Sequence, residues 1–130
     1  MRVLLIGNSY TYVNDLPMVI ADLAAAAHDA RPFAPEVVLV GGATLESHIA
    51  GPDALPAIAR GGWDVIVLQE QSTRPLTDPD KMRRDVRTLA EAAKKVNAKI
   101  VLCETCARSG ASDGIRVCVA RREPIDTMRR

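Results

Sequence analysis

The sequence predicts an α/β fold in which helices cover both faces of a parallel sheet. Four short apolar segments rich in branched residues alternate with segments of helical spacing. Continuous apolar runs are typical of strands that are buried on both faces and covered by helices. Because this alternation implies right-handed crossovers, we expect a three-layer α/β/α sandwich with a flavodoxin-like strand order.

The first strand and the first helix follow directly from the opening residues. Residues 3–6 ("VLLI") are continuously apolar, which indicates a buried strand. Asn14 or Asp15 is expected to cap the next helix, and Pro17 falls in its first turn, where a missing N–H does no harm. An apolar stripe of helical spacing then continues to about residue 28.

The next part of the chain predicts a strand followed by two short helices. The segment "RPFAP" (31–35) predicts a turn, and "EVVLVGG" (36–42) predicts the second strand. The segments "TLESHIA" (44–50) and "GPDALPAIARGG" (51–62) are each expected to contain a short helix, with Asp53 as a possible cap of the second.

Two more strands and a long helix complete the predicted domain. The third strand is expected at residues 65–68 and the fourth at "KIVLCET" (99–105). Between them lies a long amphipathic pattern with Thr77 or Asp78 as the cap and Pro79 near the first helical position. This helix is predicted to end near residue 96.

The last part of the sequence has a different character. We predict one α/β domain over residues 1–106 and an atypical, arginine-rich tail over residues 107–130. The tail shows no helical stripe and is expected to be poorly ordered. Its segment "IRVCVA" is the one stretch that resembles a short edge strand.

Composition excludes several classes of function. The net charge of +1 and the 3% aromatic content argue against a nucleic-acid partner. No apolar run reaches the 18 or so residues of a membrane span, and the start of the chain lacks a signal-peptide core. Three cysteines do not form a secreted disulfide framework. We therefore expect a cytoplasmic or processed chain with neither a nucleic-acid nor a membrane partner, of undetermined oligomeric state.

Polar and glycine residues follow three of the four predicted strands. These strand ends read "GNS" (7–9), "GGAT" (41–44) and "QEQS" (69–72). In an open parallel sheet, ligands bind outside the carboxyl ends of the strands. The sequence therefore predicts a binding or catalytic site at which these three segments converge.

The three segments resemble the sequence blocks of the SGNH hydrolases, also called GDSL-type esterases and lipases. "IGNSYT" is similar to the first block, with Ser9 as the nucleophile, and "GGATL" is similar to the second, with Gly42. The third block, Gly-x-Asn-Asp, is replaced by "QEQS", so that Gln71 falls on the asparagine and Gln69 on the glycine. The resemblance covers roughly residues 2–105.

The resemblance implies hydrolysis of a small acyl or acetyl ester, including one carried on a carbohydrate, without a metal or organic cofactor. Ser9 would attack the carbonyl, and the oxyanion would be held by the N–H groups of Ser9 and Gly42 and by a side-chain amide. Gln71 is the expected amide donor, and Gln69 is the competing candidate. The catalytic set is thus Ser9, Gly42 and Gln71.

The sequence departs from the family pattern in its fourth block. The family carries an Asp-x-x-His pair near the C-terminus, whereas this chain has only His28 and His48 and no Asp-x-x-His. The fifth strand and last helix of the family are also not recognisable. We favour a truncated or frame-altered relative, short of its last strand and helix, over a chain that works without the usual dyad or one that does not catalyse. The resemblance thus implies a serine ester hydrolase whose activity could be impaired or absent in this chain.

Other interpretations of the same residues stay open. Ser9 and the paired glycines are also common turn chemistry, and the chain could be a non-catalytic small-molecule-binding module of the same fold. Glu70 could be a general base, although a strand-end carboxylate is more often solvated or paired. His48 is the one histidine that could face the site. Cys103 and Cys106 form a C-x-x-C, which could be a thiol redox pair or half of a zinc site.

Overall fold

The computed structural model describes residues 1–27 and 31–103, and within them it contains one parallel four-stranded sheet. The strands are β1 (Arg2–Gly7), β2 (Ala34–Leu39), β3 (Val65–Gln69) and β4 (Lys99–Cys103). Their spatial order is β2-β1-β3-β4, and all three neighbouring pairs are parallel. The predicted α/β class and the flavodoxin-like order are confirmed for these strands.

Six helices connect the strands within the described residues. They are α1 (Ser9–Tyr12), α2 (Leu16–Ala26), α3 (Leu45–Ala50), α4 (Ala54–Ala59), α5 (Arg74–Thr77) and α6 (Pro79–Lys95). The chain crosses from β1 to β2 in one direction along the sheet and from β2 to β3 to β4 in the other. Because such crossovers are right-handed, α2 lies on one face of the sheet, and α3, α4 and α6 lie on the opposite face.

The core lies between the sheet and the helices α3, α4 and α6. Alternate strand residues point to this face, and they are almost completely removed from water. The buried cluster contains Leu4, Ile6, Ile66 and Leu68 from the strands and Leu45, Ala54, Ala57, Ile58, Trp63, Val86, Leu89 and Ala93 from the connections. Val3 and Leu5 are also buried, but they belong to the opposite face, as the alternation requires.

Three helix boundaries follow the predicted caps, and one of these caps makes a side-chain hydrogen bond. The Asp78 side chain accepts from the Lys81 N–H, and Pro79 is the first residue of α6, as predicted. The α2 helix follows Asp15, which has a positive φ of 48° and makes no capping bond through its side chain. Asp53 precedes α4 but likewise makes no side-chain capping bond.

The second strand differs from its prediction. β2 begins at Ala34 and ends at Leu39, whereas the sequence predicted residues 36–42, with a turn over 31–35. Pro35 belongs to the strand. Because β2 is an edge strand, its outer side needs no ladder hydrogen bonds, and a proline is tolerated there.

Several predictions concern residues outside the described part of the chain. These are His28, the last two residues of the predicted fourth strand, Cys106, the short edge strand and the whole tail 107–130. Among the described residues, no helix combines the length and the apolar character needed to cross a bilayer.

Candidate functional site

Hydrogen bonds tie the carboxyl ends of β1, β2 and β3 to one another. The buried Asn8 N–H donates to the Gln69 Oε1 at the end of β3, at 3.0 Å. The Asn8 side chain donates through Nδ2 to the Ala43 carbonyl, in the loop after β2, at 2.9 Å. One asparagine therefore joins all three strand ends, as the sequence predicted for this edge of the sheet.

Gly7 is closely approached by two side chains. A Cβ at this position would lie 2.8 Å from the Gln69 Oε1 and 2.9 Å from the Thr11 Oγ1. The Gly7 carbonyl accepts from the Val40 N–H at 3.2 Å and from the His48 Nε2 at 2.8 Å. A larger residue before Asn8 would force the Gln69 and Thr11 side chains to shift, and the Gln69 Oε1 accepts from the Asn8 N–H.

Ser9 is the first residue of α1, and Asn8 caps that helix by accepting from the Tyr10 N–H at 3.2 Å. The Ser9 side chain is partly exposed. Among residues 1–27 and 31–103, nothing makes a hydrogen bond with its hydroxyl. The predicted nucleophile is therefore accessible and uncommitted within the part of the chain that the structure describes.

Gly42 adopts a φ of +69°, in the left-handed region that favours glycine. A Cβ added here would meet no described atom within 4 Å, so the backbone conformation, rather than crowding, accounts for the glycine. Gly42 precedes Ala43, whose carbonyl is bound by Asn8. This bond links the loop of Gly42 to the segment that carries Ser9.

The two glutamines at the end of β3 differ in how their amides are used. The Gln69 Oε1 accepts from the Asn8 N–H and from the Thr11 hydroxyl (3.1 Å), and its Nε2 donates to the Glu70 carbonyl. The Gln71 Oε1 accepts from the N–H and hydroxyl of Thr73 and from the Arg74 N–H. The Gln71 Nε2 has no partner among the described residues, so its amide donor stays available.

Glu70 is buried, with 3% of its surface exposed. Its Oε1 accepts from the Leu45 N–H at 3.1 Å and from the Gln71 N–H at 2.7 Å. Its Oε2 is buried and has no partner among the described residues. The sequence left Glu70 open as a general base, but the signal was weak, because a strand-end carboxylate is usually solvated or paired with a cation.

His48 is buried and donates from Nε2 to the Gly7 carbonyl, because a carbonyl oxygen can only accept. The imidazole therefore holds β1 to α3 from inside the protein. The alternative in which His48 faces the candidate site as a base finds no support in this contact, since the nitrogen involved is already committed.

Charged residues form a chain of ion pairs beside the loop after β3. Arg74 pairs with Glu46, and Lys81 lies 3.4 Å from Glu46 and 2.5 Å from the buried Asp85. The hydrogen bond to Asp85 raises the pKa of Lys81 above its usual range. The Arg74–Glu46 pair therefore fastens α5 to α3, and the Lys81–Glu46 pair fastens α3 to α6.

Cys103 ends β4, and burial raises the pKa of its thiol. A reactive redox cysteine has a lowered pKa, so this environment does not favour the thiol redox alternative. Among the described residues, no group of three His, Cys, Asp or Glu side chains could hold a metal ion.

A surface depression of about 500 Å³ lies elsewhere, beside the outer strand β2. It is lined by residues 37–40 together with Pro52, Pro56 and Arg60, and it includes neither Ser9 nor Gln71. This depression is therefore separate from the residues of the candidate site.

The chain was compared with family models, curated proteins and solved structures. No protein-family model and no curated protein matches this chain. Among solved structures, it is similar to one described as "a putative SGNH hydrolase from Slackia heliotrinireducens", with 34% identity and a TM-score of 0.68. The match covers 78% of this chain and 54% of the other, so the chain spans about half the length of that relative. The protein therefore has an SGNH-like α/β fold.

Proposed function

We propose that this chain is a serine ester hydrolase of the SGNH type that acts on a small acyl ester. The observation that carries the proposal is the pair of bonds from Asn8 to Gln69 and to Ala43. They tie three strand ends around a serine whose hydroxyl is unbound within the described residues. The 34% identity to the SGNH hydrolase structure supports the same assignment.

In the proposed reaction, the Ser9 Oγ attacks the carbonyl carbon of the ester. The Oγ proton is transferred to a base, the alcohol departs with a proton, and an acyl-serine forms. Water then cleaves the acyl-serine, which releases the carboxylic acid and restores the hydroxyl. The N–H groups of Ser9 and Gly42 and the Gln71 Nε2 are the proposed oxyanion donors.

Gln71 is the better candidate for the side-chain donor. Its Nε2 is uncommitted among the described residues, whereas the Gln69 Nε2 donates to the Glu70 carbonyl. We expect Gln71→Glu to lower the rate of Ser9 acylation by about 100–1000-fold, the effect of one lost oxyanion donor. Glutamate keeps the acceptor that binds Thr73 and Arg74, so the loop retains its hydrogen bonds.

The base is the missing component, because the sequence holds no Asp-x-x-His. Imidazole in solution can replace such a group, so the assay compares the chain with Ser9→Ala on 4-nitrophenyl acetate over a series of imidazole concentrations. We expect an imidazole-dependent rate that exceeds the Ser9→Ala background, together with an acetyl group on Ser9 by mass spectrometry.

Thr88→Ala is the matched control, since Thr88 is exposed on α6 and its hydroxyl donates within that helix, to the Arg84 carbonyl. Equal rates in the chain and in Ser9→Ala at every imidazole concentration would refute the esterase proposal. Retained binding of an ester without acylation would instead favour the non-catalytic binding module. Hydrolysis of acetylated sugars tests the carbohydrate-linked substrate.

A further inference from the structure

Glu70 is a buried carboxylate that the proposed reaction does not use. It is 3% exposed, and its Oε1 accepts two backbone N–H groups, those of Leu45 and Gln71. A buried carboxylate is costly unless its hydrogen bonds offset the loss of water. Its position therefore calls for a role beyond filling the core.

The two N–H groups belong to segments that follow different strands. Leu45 begins α3, three residues after Gly42, and Gln71 is in the loop after β3. A single oxygen atom therefore connects the loop that carries Gly42 with the loop that carries Gln71. These are the loops of two proposed oxyanion donors, which come from different crossovers and must be held at a fixed separation.

The Gln71 side chain is held at its other end as well. Its Oε1 accepts from Thr73 and Arg74, at 2.7–3.2 Å, while its own N–H is bound by Glu70. With the backbone and the carbonyl oxygen of the amide both fixed, the direction of the Nε2 is fixed too. The orientation of the donor thus depends on the Glu70 contact.

We propose that Glu70 is a positioning residue that sets the separation and orientation of the Gly42 and Gln71 donors through its Oε1. This inference rests on the proposed function, in which those two groups bind the oxyanion. The role requires an acceptor oxygen at this point and not a negative charge. The Oε2 has no partner among the described residues, so a carboxamide can make the same two bonds through its oxygen.

The test compares Glu70→Gln, which keeps the acceptor, with Glu70→Met, which removes it at similar volume. Glu70→Asp keeps the charge but withdraws the oxygen by one methylene, and it replaces Glu70→Met if that variant does not fold. Glu91→Met, on the exposed side of α6, is the matched control. The readouts are the rate of Ser9 labelling by a fluorophosphonate with imidazole present, and the NMR signals of the Leu45 and Gln71 amides.

We expect Glu70→Met to slow labelling by about 10–100-fold, because displacing a reacting group by about 1 Å can cost 100-fold. The Gln71 side-chain amide signal should shift in the same variant. Glu70→Gln should label within about threefold of the unmodified chain, on the same reasoning that its geometry is kept.

Three results would overturn the inference. If Ser9 in Glu70→Met is labelled at the normal rate although the backbone amide signals shift, Glu70 has only a structural role. Glu70→Gln that is as slow as Glu70→Met would show that charge, and not the acceptor, matters. If the Leu45 and Gln71 amide signals do not shift in Glu70→Met, the hydrogen bonds from these two amides to Glu70 do not exist in solution. If Ser9 is not labelled in the unmodified chain, the proposed function fails, whereas the amide signals still decide whether Glu70 orients Gln71.

Discussion

At the amino ends of the strands, Arg2, Glu36 and Arg60 form ion pairs that stay in contact with water, whereas at the carboxyl ends Asn8, Gln69 and Glu70 are buried. Both ends join neighbouring strands through polar side chains. The ion pairs are 2.9 Å long and their side chains are 41–60% exposed, so each stabilises the fold only weakly.

The amino end is organised around Trp63. Its indole is buried, donates to the Ala57 carbonyl at 3.0 Å and lies under the Arg2 guanidinium at 4.4 Å. Arg60 lies 5.6 Å from the same ring, and Glu36 bridges the two arginines. These contacts pair the polar groups of the amino end or cover the apolar surface of the indole, so stabilisation of the fold accounts for them.

The carboxyl end includes buried polar atoms that the described residues leave unpaired, such as the Glu70 Oε2 and the Ser72 Oγ. Unpaired buried groups destabilise a fold and need an explanation other than stability. The two ends therefore differ in that, among the described residues, the carboxyl end leaves buried polar atoms unpaired. This difference also suggests direct comparisons between matched residues.

The largest expected effect is on the free energy of unfolding, in a comparison of Asn8→Ala with Asp64→Ala. Each side chain binds a backbone group of another segment: Asn8 binds the Ala43 carbonyl, and the Asp64 Oδ2 accepts from the Arg2 N–H at 2.7 Å. Asn8→Ala should lower the free energy of unfolding by about 1–3 kcal/mol, because the carbonyl is left buried and unpaired. Asp64→Ala should lower it less, since water replaces an exposed acceptor. Urea unfolding measures both, and equal losses would contradict the contrast between the two ends.

A smaller effect is expected on the rate at which Cys103, at the carboxyl end, is alkylated. Burial raises the pKa of its thiol, so less thiolate is present at a given pH and alkylation should be slower than in the unfolded chain. Iodoacetamide kinetics at pH 7–9 on the Cys106→Ser/Cys118→Ser variant isolates this thiol. The rate should be several-fold slower in the folded chain and should rise with pH. Faster alkylation in the folded chain would favour the redox alternative instead.

The smallest effect is expected for Glu36→Gln at the amino end. The hydrogen bond from Arg2 lowers the pKa of Glu36 from its ordinary value of 4.5, with Arg60 adding to the effect. Because the folded pKa is below the unfolded one, the stabilisation is present above pH 4.5 and is lost as the pH falls through the folded pKa. The melting temperatures of the two chains should therefore differ slightly at pH 7 and converge near pH 3. A difference that grows on acidification would contradict this assignment.

The strands of the sheet could be predicted because a parallel strand that is buried on both faces consists of consecutive apolar residues. The strand from Val65 and the long helix from Pro79 were found nearly to the residue, since the first is a branched apolar run and the second has a cap and a proline at its start. The short helices α1 and α5 were not predicted. Each has only four residues, too few for an apolar period to show.

The convergence of the strand ends was predictable, but the use of each side chain there was not. The order of strands and glycines brings Ser9, Gly42 and Gln71 to one edge, and topology alone predicts that much. The Gln69 Oε1 is held by Asn8 and Thr11, which are distant in sequence, and the Gln69 Nε2 donates to the Glu70 carbonyl. The catalytic roles themselves stay predictions, with the experiments on Ser9 and Gln71 to decide them.

The open space around Gly42 has a practical consequence. Its φ of +69° is the mirror image of an ordinary helical angle, and no described atom lies within 4 Å of the position that a Cβ would take. The free space is the one that the Cβ of an L-residue would occupy, so Gly42→Ala changes the backbone energy without a steric clash. The substitution should lower the free energy of unfolding by about 1–2 kcal/mol, which is the cost of a left-handed residue that carries a Cβ.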